Sequence, residues 1–184
     1  MVKTPTTNIK LGFKAPDFLL PNVVSNQEQN LETLTGEKGL VVMFICNHCP
    51  FVVHVIDSLI KVANAYIPKG VGFVAISSND IINYPDDSPD KMKDFAQNKK
   101  FPFAYLYDET QEVAKAYNAA CTPDFSIFDQ ELRCIYRGQM DGSRPGNNIP
   151  NDGKDMRKVL DYLLMDKVID FKQHPSLGCN IKWK

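Results

Sequence analysis

The sequence carries no surplus of charge of either sign. Its 184 residues hold 21 Lys and Arg against 22 Asp and Glu, for a net charge of −1. Binding to nucleic-acid phosphates usually leaves a basic excess or stripe. Here the basic residues form only short pairs, such as Lys99-Lys100, which read as solvated surface. Long apolar runs are also missing. The longest, 39–46, falls far short of the ~20 residues of a membrane-crossing helix. Residues 1–10 are polar and lack the apolar segment of a signal peptide. A cytoplasmic setting with no membrane partner is therefore expected. The 10 Gly and 12 Pro follow no collagen-like period, and 43% hydrophobic content excludes a disordered chain. The five cysteines, odd in number and irregular in spacing, do not make a secreted disulfide framework. In a reducing compartment a close Cys pair points to catalysis or metal binding.

A chain of this length buries one sizeable core without staples. No linker or repeat divides it, so residues 1–184 read as one domain, with a core over about 11–165 and a tail over 166–184. Strands and helices alternate, which predicts an α/β fold. Residues 18–21 and 29–31 are short leading strands. Residues 40–46 (LVVMFIC) form an unbroken apolar run, the pattern of a strand covered on both faces. Apolar residues from Phe51 to Ile67 then recur at helical spacing, with Pro50 at the helix start. A second buried strand follows at 71–77, and the strand–helix–strand unit should be parallel and right-handed. Residues 79–90 read as a loop, 91–98 as a helix, 103–107 as a strand and 109–117 as a helix. Residues 125–128 and 132–136 read as a hairpin. Residues 138–153 read as a long solvated loop containing Asp141 and Arg144, with Arg137 beside it. Residues 155–164 form a last helix, and the tail shows no periodicity.

The sharpest feature is Cys46-Asn47-His48-Cys49-Pro50, at the junction of a buried strand and a helix. A helix N-terminus offers unpaired N–H groups and partial positive charge, which lower a thiol pKa. The resulting thiolate attacks disulfides, and a second thiol one turn away resolves the mixed disulfide. His48, when protonated, adds a further cation beside the thiolate. His54 falls on the polar side of the helix and reads as surface, and His174 has no assignable role. Cys121-Thr122-Pro123-Asp124-Phe125 enters a later strand, where a proline is either trans at an edge or cis. Cys121 reads either as an auxiliary thiol near the pair or as a small buried hydrophobe. Cys134 reads as core.

Six segments together resemble the thioredoxin-like superfamily. They are 11–18 (LGFKAPDF), 46–50 (CNHCP), 108–114 (DETQEVA), 122–124 (TPD), 136–138 (YRG) and 178–183 (GCNIKW). Within that superfamily the chain is similar to redoxin-domain proteins of the alkyl-hydroperoxide-reductase/thiol-specific-antioxidant type with a CNHCP motif. The resemblance implies a central mixed sheet flanked by helices, with an N-terminal β extension and a C-terminal tail. It implies a redox pair of Cys46 and Cys49, needing no cofactor and no metal. Pro123 would be the cis-proline facing that pair, and the backbone of Thr122 would pair with a bound substrate chain. The partners would be protein or small-molecule thiols and disulfides.

Two assignments of the nucleophile stand side by side. The usual one is the N-terminal Cys46, but counting from the strand puts Cys49 in that place. A peroxiredoxin-like thiol peroxidase is the alternative function. In its Pro-x-x-x-Thr-x-x-Cys pattern, Cys49 would be peroxidatic, with Cys46 replacing the Thr and Val42 the Pro. A non-enzymatic zinc module is the third reading, with Cys46 and Cys49 joined by Cys121, Cys179 or a His. His48 predicts a reduction potential less negative than that of thioredoxin, roughly between −270 and −120 mV. Titration in glutathione buffers measures it, and a value at or below thioredoxin's would reject this role for His48.

Overall fold

The computed structural model describes residues 3–184, so the first two residues of the expected domain lie outside the described residues. The strands are β1 (Lys3–Pro5), β2 (Leu19–Pro21), β3 (Glu28–Asn30), β4 (Gly39–Phe44), β5 (Val71–Ser77), β6 (Ala104–Tyr107), β7 (Cys121–Thr122), β8 (Asp124–Asp129), β9 (Cys134–Arg137) and β10 (Leu177–Asn180). The helices are α1 (Leu31–Leu34), α2 (Pro50–Tyr66), α3 (Pro89–Lys99), α4 (Glu112–Ala116) and α5 (Lys154–Leu164).

A strand with two apolar faces must be covered on both. All of β4 is buried, and it lies at the centre of the sheet. β8 runs antiparallel to β4, and β9 antiparallel to β8. On the other side β4 meets β5. The chains approach closely at Gly36 and Gly72, and at the far end the Ile45 N–H donates to the Ile76 carbonyl at 3.0 Å. Starts meet and ends meet, so β4 and β5 run the same way. β6 is parallel to β5. The sheet is therefore mixed, in the order β9-β8-β4-β5-β6.

Alternation along β4 sorts its side chains between two cores. Val41 and Met43 join α2, α5 and Met92 of α3 on one face. Leu40, Val42 and Phe44 join Ala114 of α4, Tyr117 and the entry residues Ala15, Phe18 and Leu20 on the other. The stretch Pro50–Lys69 is long and apolar enough by composition to cross a membrane. Here its apolar stripe from Phe51 to Tyr66 is buried in the first core, as in a core helix.

Several elements differ from the sequence reading. β4 stops at Phe44, so Cys46 belongs to the following turn. The helix expected over 109–117 is only Glu112–Ala116, because Gln111 takes a left-handed φ of 65°. The buried Asp108 carboxylate instead accepts the Ala114 N–H at 2.9 Å. The 138–153 stretch is a loop that is solvated over 145–150 but tied in on either side. Asp141, 1% exposed, accepts the N–H groups of Ser143, Asp152 and Gly153 at 2.8, 3.0 and 2.7 Å. Arg144 donates to the Asp141 and Ser143 carbonyls. The tail without periodicity contains β10, which lies antiparallel between β1 and β7.

A Cβ on Gly72 would collide with the Leu34 carbonyl oxygen and lie 2.8 Å from the Gly36 N. Both are backbone atoms and cannot swing away. Gly72→Ala should therefore destabilise the fold by about 1–3 kcal/mol, read as a lower urea midpoint at unchanged slope.

Candidate active site

The turn from β4 into α2 places both motif cysteines. Pro50 occupies the first helical position, where its missing N–H costs nothing. Cys49 is the N-cap, with extended backbone and no side-chain capping bond. The first-turn N–H groups have no side-chain partner, and the Val52 N–H helps to lower the Cys49 pKa.

The turn is anchored by a residue with no local sequence signal. Asp87, fully buried, sits on a 3-10 turn at Pro85–Asp87. Its carboxylate accepts the Asn47 N–H at 2.8 Å and the Asn79 Nδ2 at 2.7 Å, and meets His48 Nδ1 at 2.8 Å. The Asn47 side chain donates to the Asp86 carbonyl and accepts from the Tyr105 hydroxyl at 3.0 Å. His48 thus faces outward, held by Asp87 and stacked 6.1 Å from Tyr84.

The two thiols are electrostatically unlike. A hydrogen bond from the Cys46 thiol, above all, holds Cys49 down at about 4 from an ordinary 9.0, with Cys179 and the Val52 N–H helping and burial opposing. Cys46 is pushed up, first by its hydrogen bond to Cys49, then by burial and the Asp87 charge. Both shifts favour the proton on Cys46 and the negative charge on Cys49. The Thr122 carbonyl works against this. It stands 3.1 Å from Cys49 Sγ, accepts from the thiol form and repels the thiolate. The several donors outweigh it, because the helix end adds to them.

Thr122 and Pro123 are joined by a cis peptide bond beside the pair. The Thr122 hydroxyl lies 3.3 Å from Cys46 Sγ, while its carbonyl faces Cys49. Its backbone edge is not open to a substrate chain, because β10 already pairs with it, Cys179 opposite Thr122. Cys179 Sγ lies 3.0 Å from Cys49 Sγ. The expected auxiliary thiol, Cys121, is turned toward the Pro123 carbonyl at 3.5 Å, and burial, then the Asp124 charge, raises its pKa. Cys134 is core, its thiol bonded to the Tyr136 carbonyl. His54, read as surface, is half-buried, its Nε2 2.6 Å from the Ser143 hydroxyl.

The redoxin family model matches residues 10–160. The chain belongs to the redoxin family. This redoxin is 55% identical to an uncharacterized conserved protein from Geobacillus kaustophilus, covering 100% of this chain and 97% of that one at a TM-score of 0.98. It also has the fold of the thioredoxin domain of a thiol-disulfide oxidoreductase from Bacteroides vulgatus, at 17% identity, TM-score 0.63 and coverage of 83% and 99%. The peroxidoxin BcpB from Mycobacterium tuberculosis is similar at 18% identity and TM-score 0.63, covering 85% and 97%. At such identities the likeness concerns the thioredoxin-like fold alone. No functionally curated sequence matches this redoxin.

Donor atoms of Cys46, His48 and Asp87 lie within 4.8 Å of one another, a grouping that could hold a metal ion. The Asp87 carboxylate is already engaged by Asn47, Asn79 and His48, which disfavours it as a ligand. Cys121, one of the ligands the zinc reading proposed, is not in this group.

Thiolate absorbance near 240 nm should report a group that half-titrates well below pH 7, near 4. Cys46→Ala removes the main donor and should raise that midpoint by at least about one unit. The Cys49 pKa is lowered by folding, so its contribution to stability is full above its unfolded value. That contribution is lost as pH falls through the folded one.

Proposed function

We propose that this redoxin is a thiol–disulfide oxidoreductase working through Cys46 and Cys49, with Cys49 as nucleophile. The observation that carries the reading is the position of Cys49. It stands at the N-cap of α2 with its thiol held well below the ordinary value, above all by Cys46, whose own thiol is pushed up. The Cys49 thiolate attacks one sulfur of a disulfide, and the other sulfur leaves as a thiolate, which takes a proton from solvent. Cys46 then attacks Cys49 Sγ and passes its proton to the second departing thiolate. The protein loses two electrons and the substrate disulfide gains two. The chemistry uses only the chain's own cysteines, and it runs in either direction according to the partner. Protein or small-molecule disulfides and thiols are the proposed substrate class, in a cytoplasmic setting.

Peroxide reduction starts from the same thiolate but needs a hydroxyl to hold the peroxide beside it. The Thr122 hydroxyl faces Cys46 instead, and Cys46 stands where the peroxidase pattern has its Thr. This ranks disulfide exchange first.

Thiol counting by alkylation and mass spectrometry tests the proposal. Oxidised glutathione should remove two alkylatable thiols per chain, and reductant should restore them. Cys49→Ser should abolish the loss, slowing reaction at least about 100-fold. If no pair forms and Cys49 instead reaches sulfinic acid under peroxide, peroxidase chemistry takes first place.

A further inference from the structure

Cys49 has a second thiol neighbour. Cys179 comes from the far end of the chain, yet its Sγ lies 3.0 Å from Cys49 Sγ, and the residue is 6% exposed. A disulfide is about 2.05 Å long, so about 1 Å of approach would close the bond.

The strand that carries Cys179 is firmly held. Lys3 pairs with Cys179 on one side and Thr122 on the other. Gly178 lets it lie close, since a Cβ there would collide with the Thr122 carbonyl. Past the strand, the Ile181 N–H donates to Ala120, and the Lys182 N–H to Asn79 Oδ1 at 2.9 Å. Gln111 then bonds both the Lys182 carbonyl and the Lys184 N–H. A thioldisulfide enzyme that took a substrate chain by strand addition would use this edge. Here β10 covers it and presents its own cysteine to the nucleophile.

We propose that Cys179 is a built-in resolving thiol, held by β10 where a substrate cysteine would otherwise lie, and that the disulfides loading Cys49 are therefore small molecules. The inference rests on Cys49 being the nucleophile. The Cys49 thiolate attacks a low-molecular-weight disulfide R–S–S–R, releasing one RS⁻, which takes a proton from solvent, and leaving a Cys49–S–S–R mixed disulfide. The Cys179 sulfur then attacks Cys49 Sγ, the S–R bond breaks, and the Cys179 proton leaves with the second RSH. The protein is oxidised by two electrons to a Cys49–Cys179 disulfide, and R–S–S–R is reduced by two.

The resting Cys179 thiol is pushed up to about 12, by burial first and then by its hydrogen bond to Cys49 and the Cys49 charge. Two of those three influences end when Cys49 enters a mixed disulfide and becomes neutral. Cys179 is thus kept protonated before loading and released for attack after it.

The test uses oxidised glutathione at pH 8 on the full chain, followed by acid quenching, alkylation, proteolysis and disulfide mapping. Cys46→Ala should accumulate a Cys49–Cys179 disulfide and little glutathione adduct. Cys46→Ala/Cys179→Ala should stall with glutathione on Cys49, at least about tenfold more adduct than the single variant. If Cys46→Ala alone stalls as the adduct with Cys179 free, the inference is overturned, while the Cys46/Cys49 reading stands. If neither variant nor the wild type reacts at Cys49, both are overturned. Should Cys46→Ala fail to fold, the wild type decides. A Cys49–Cys179 peptide alongside Cys46–Cys49 supports the inference, and Cys46–Cys49 alone rejects it.

Discussion

A helix that begins without a side-chain cap leaves N–H groups and partial positive charge at its N-terminus, and in this protein a cysteine stands at that position. Everything else at the site is arranged around that constraint. Pro50 removes one donor and fixes the entry angle, and Val52 offers another to Cys49. A buried thiolate would be costly with no donors around it. Donors from Cys46, Cys179 and the backbone offset that cost. The buried carboxylate of Asp87 raises the Cys46 pKa, which helps keep the proton on that sulfur. One buried anion thus helps decide which of two sulfurs carries the charge.

The motif straddles the helix end from the strand side. Three residues into α2, where a partner thiol would sit if the nucleophile came first, stands the buried Val52. The partner, Cys46, lies instead in the turn after Phe44, 1% exposed and beneath the Thr122 hydroxyl. This follows from where β4 stops. Had the strand run to Cys46, as its unbroken apolar run suggested, that sulfur would have belonged to the sheet. The turn at 45–48 is anchored at Asn47 by Asp87 and by Tyr105 of β6.

What could be read in the sequence was local. The apolar run of β4, the stripe of α2 and the 71–77 strand declare themselves by period alone, because each is long and faces a core. The Cys46-to-Pro50 turn was legible because proline and a helical stripe follow it directly. Asp87, Cys179 and the pairing of β10 were not. Asp87 lies in a Pro-rich loop that looks solvated, and only the closed fold brings it under Asn47. β10 has four residues and no alternation, and its stability comes from β1 and β7, both more than 50 residues earlier in the chain. Cys121 and Cys179 look alike in sequence, each within two residues of a turn-forming residue. One packs against the Pro123 carbonyl and the other meets the nucleophile, a difference set wholly by long-range pairing.

Thr122 contacts both motif sulfurs with different atoms, hydroxyl to Cys46 and carbonyl to Cys49, so its position must be fixed closely. The fixing is done by a buried ion pair on the far side of the turn. Asp124, 1% exposed, accepts from the Ala120 N–H at 3.1 Å and the Thr6 hydroxyl at 3.0 Å, and faces Arg137 at 3.5 Å. Arg137 also donates to the Tyr117 and Asn118 carbonyls and the Ser126 hydroxyl. A buried pair with unfilled hydrogen bonds would destabilise the fold. Filled on nearly every side, it acts as a rigid clasp on the turn from 118 to 126. Burial pushes the Asp124 carboxyl up and Arg137 pulls it back, so the clasp depends on the charge of both partners. A carbonyl held this close to Cys49 favours the protonated or disulfide form over the thiolate, in opposition to the helix end. The balance between a fixed oxygen and a fixed set of N–H and S–H donors is therefore what sets how readily Cys49 gives up its charge.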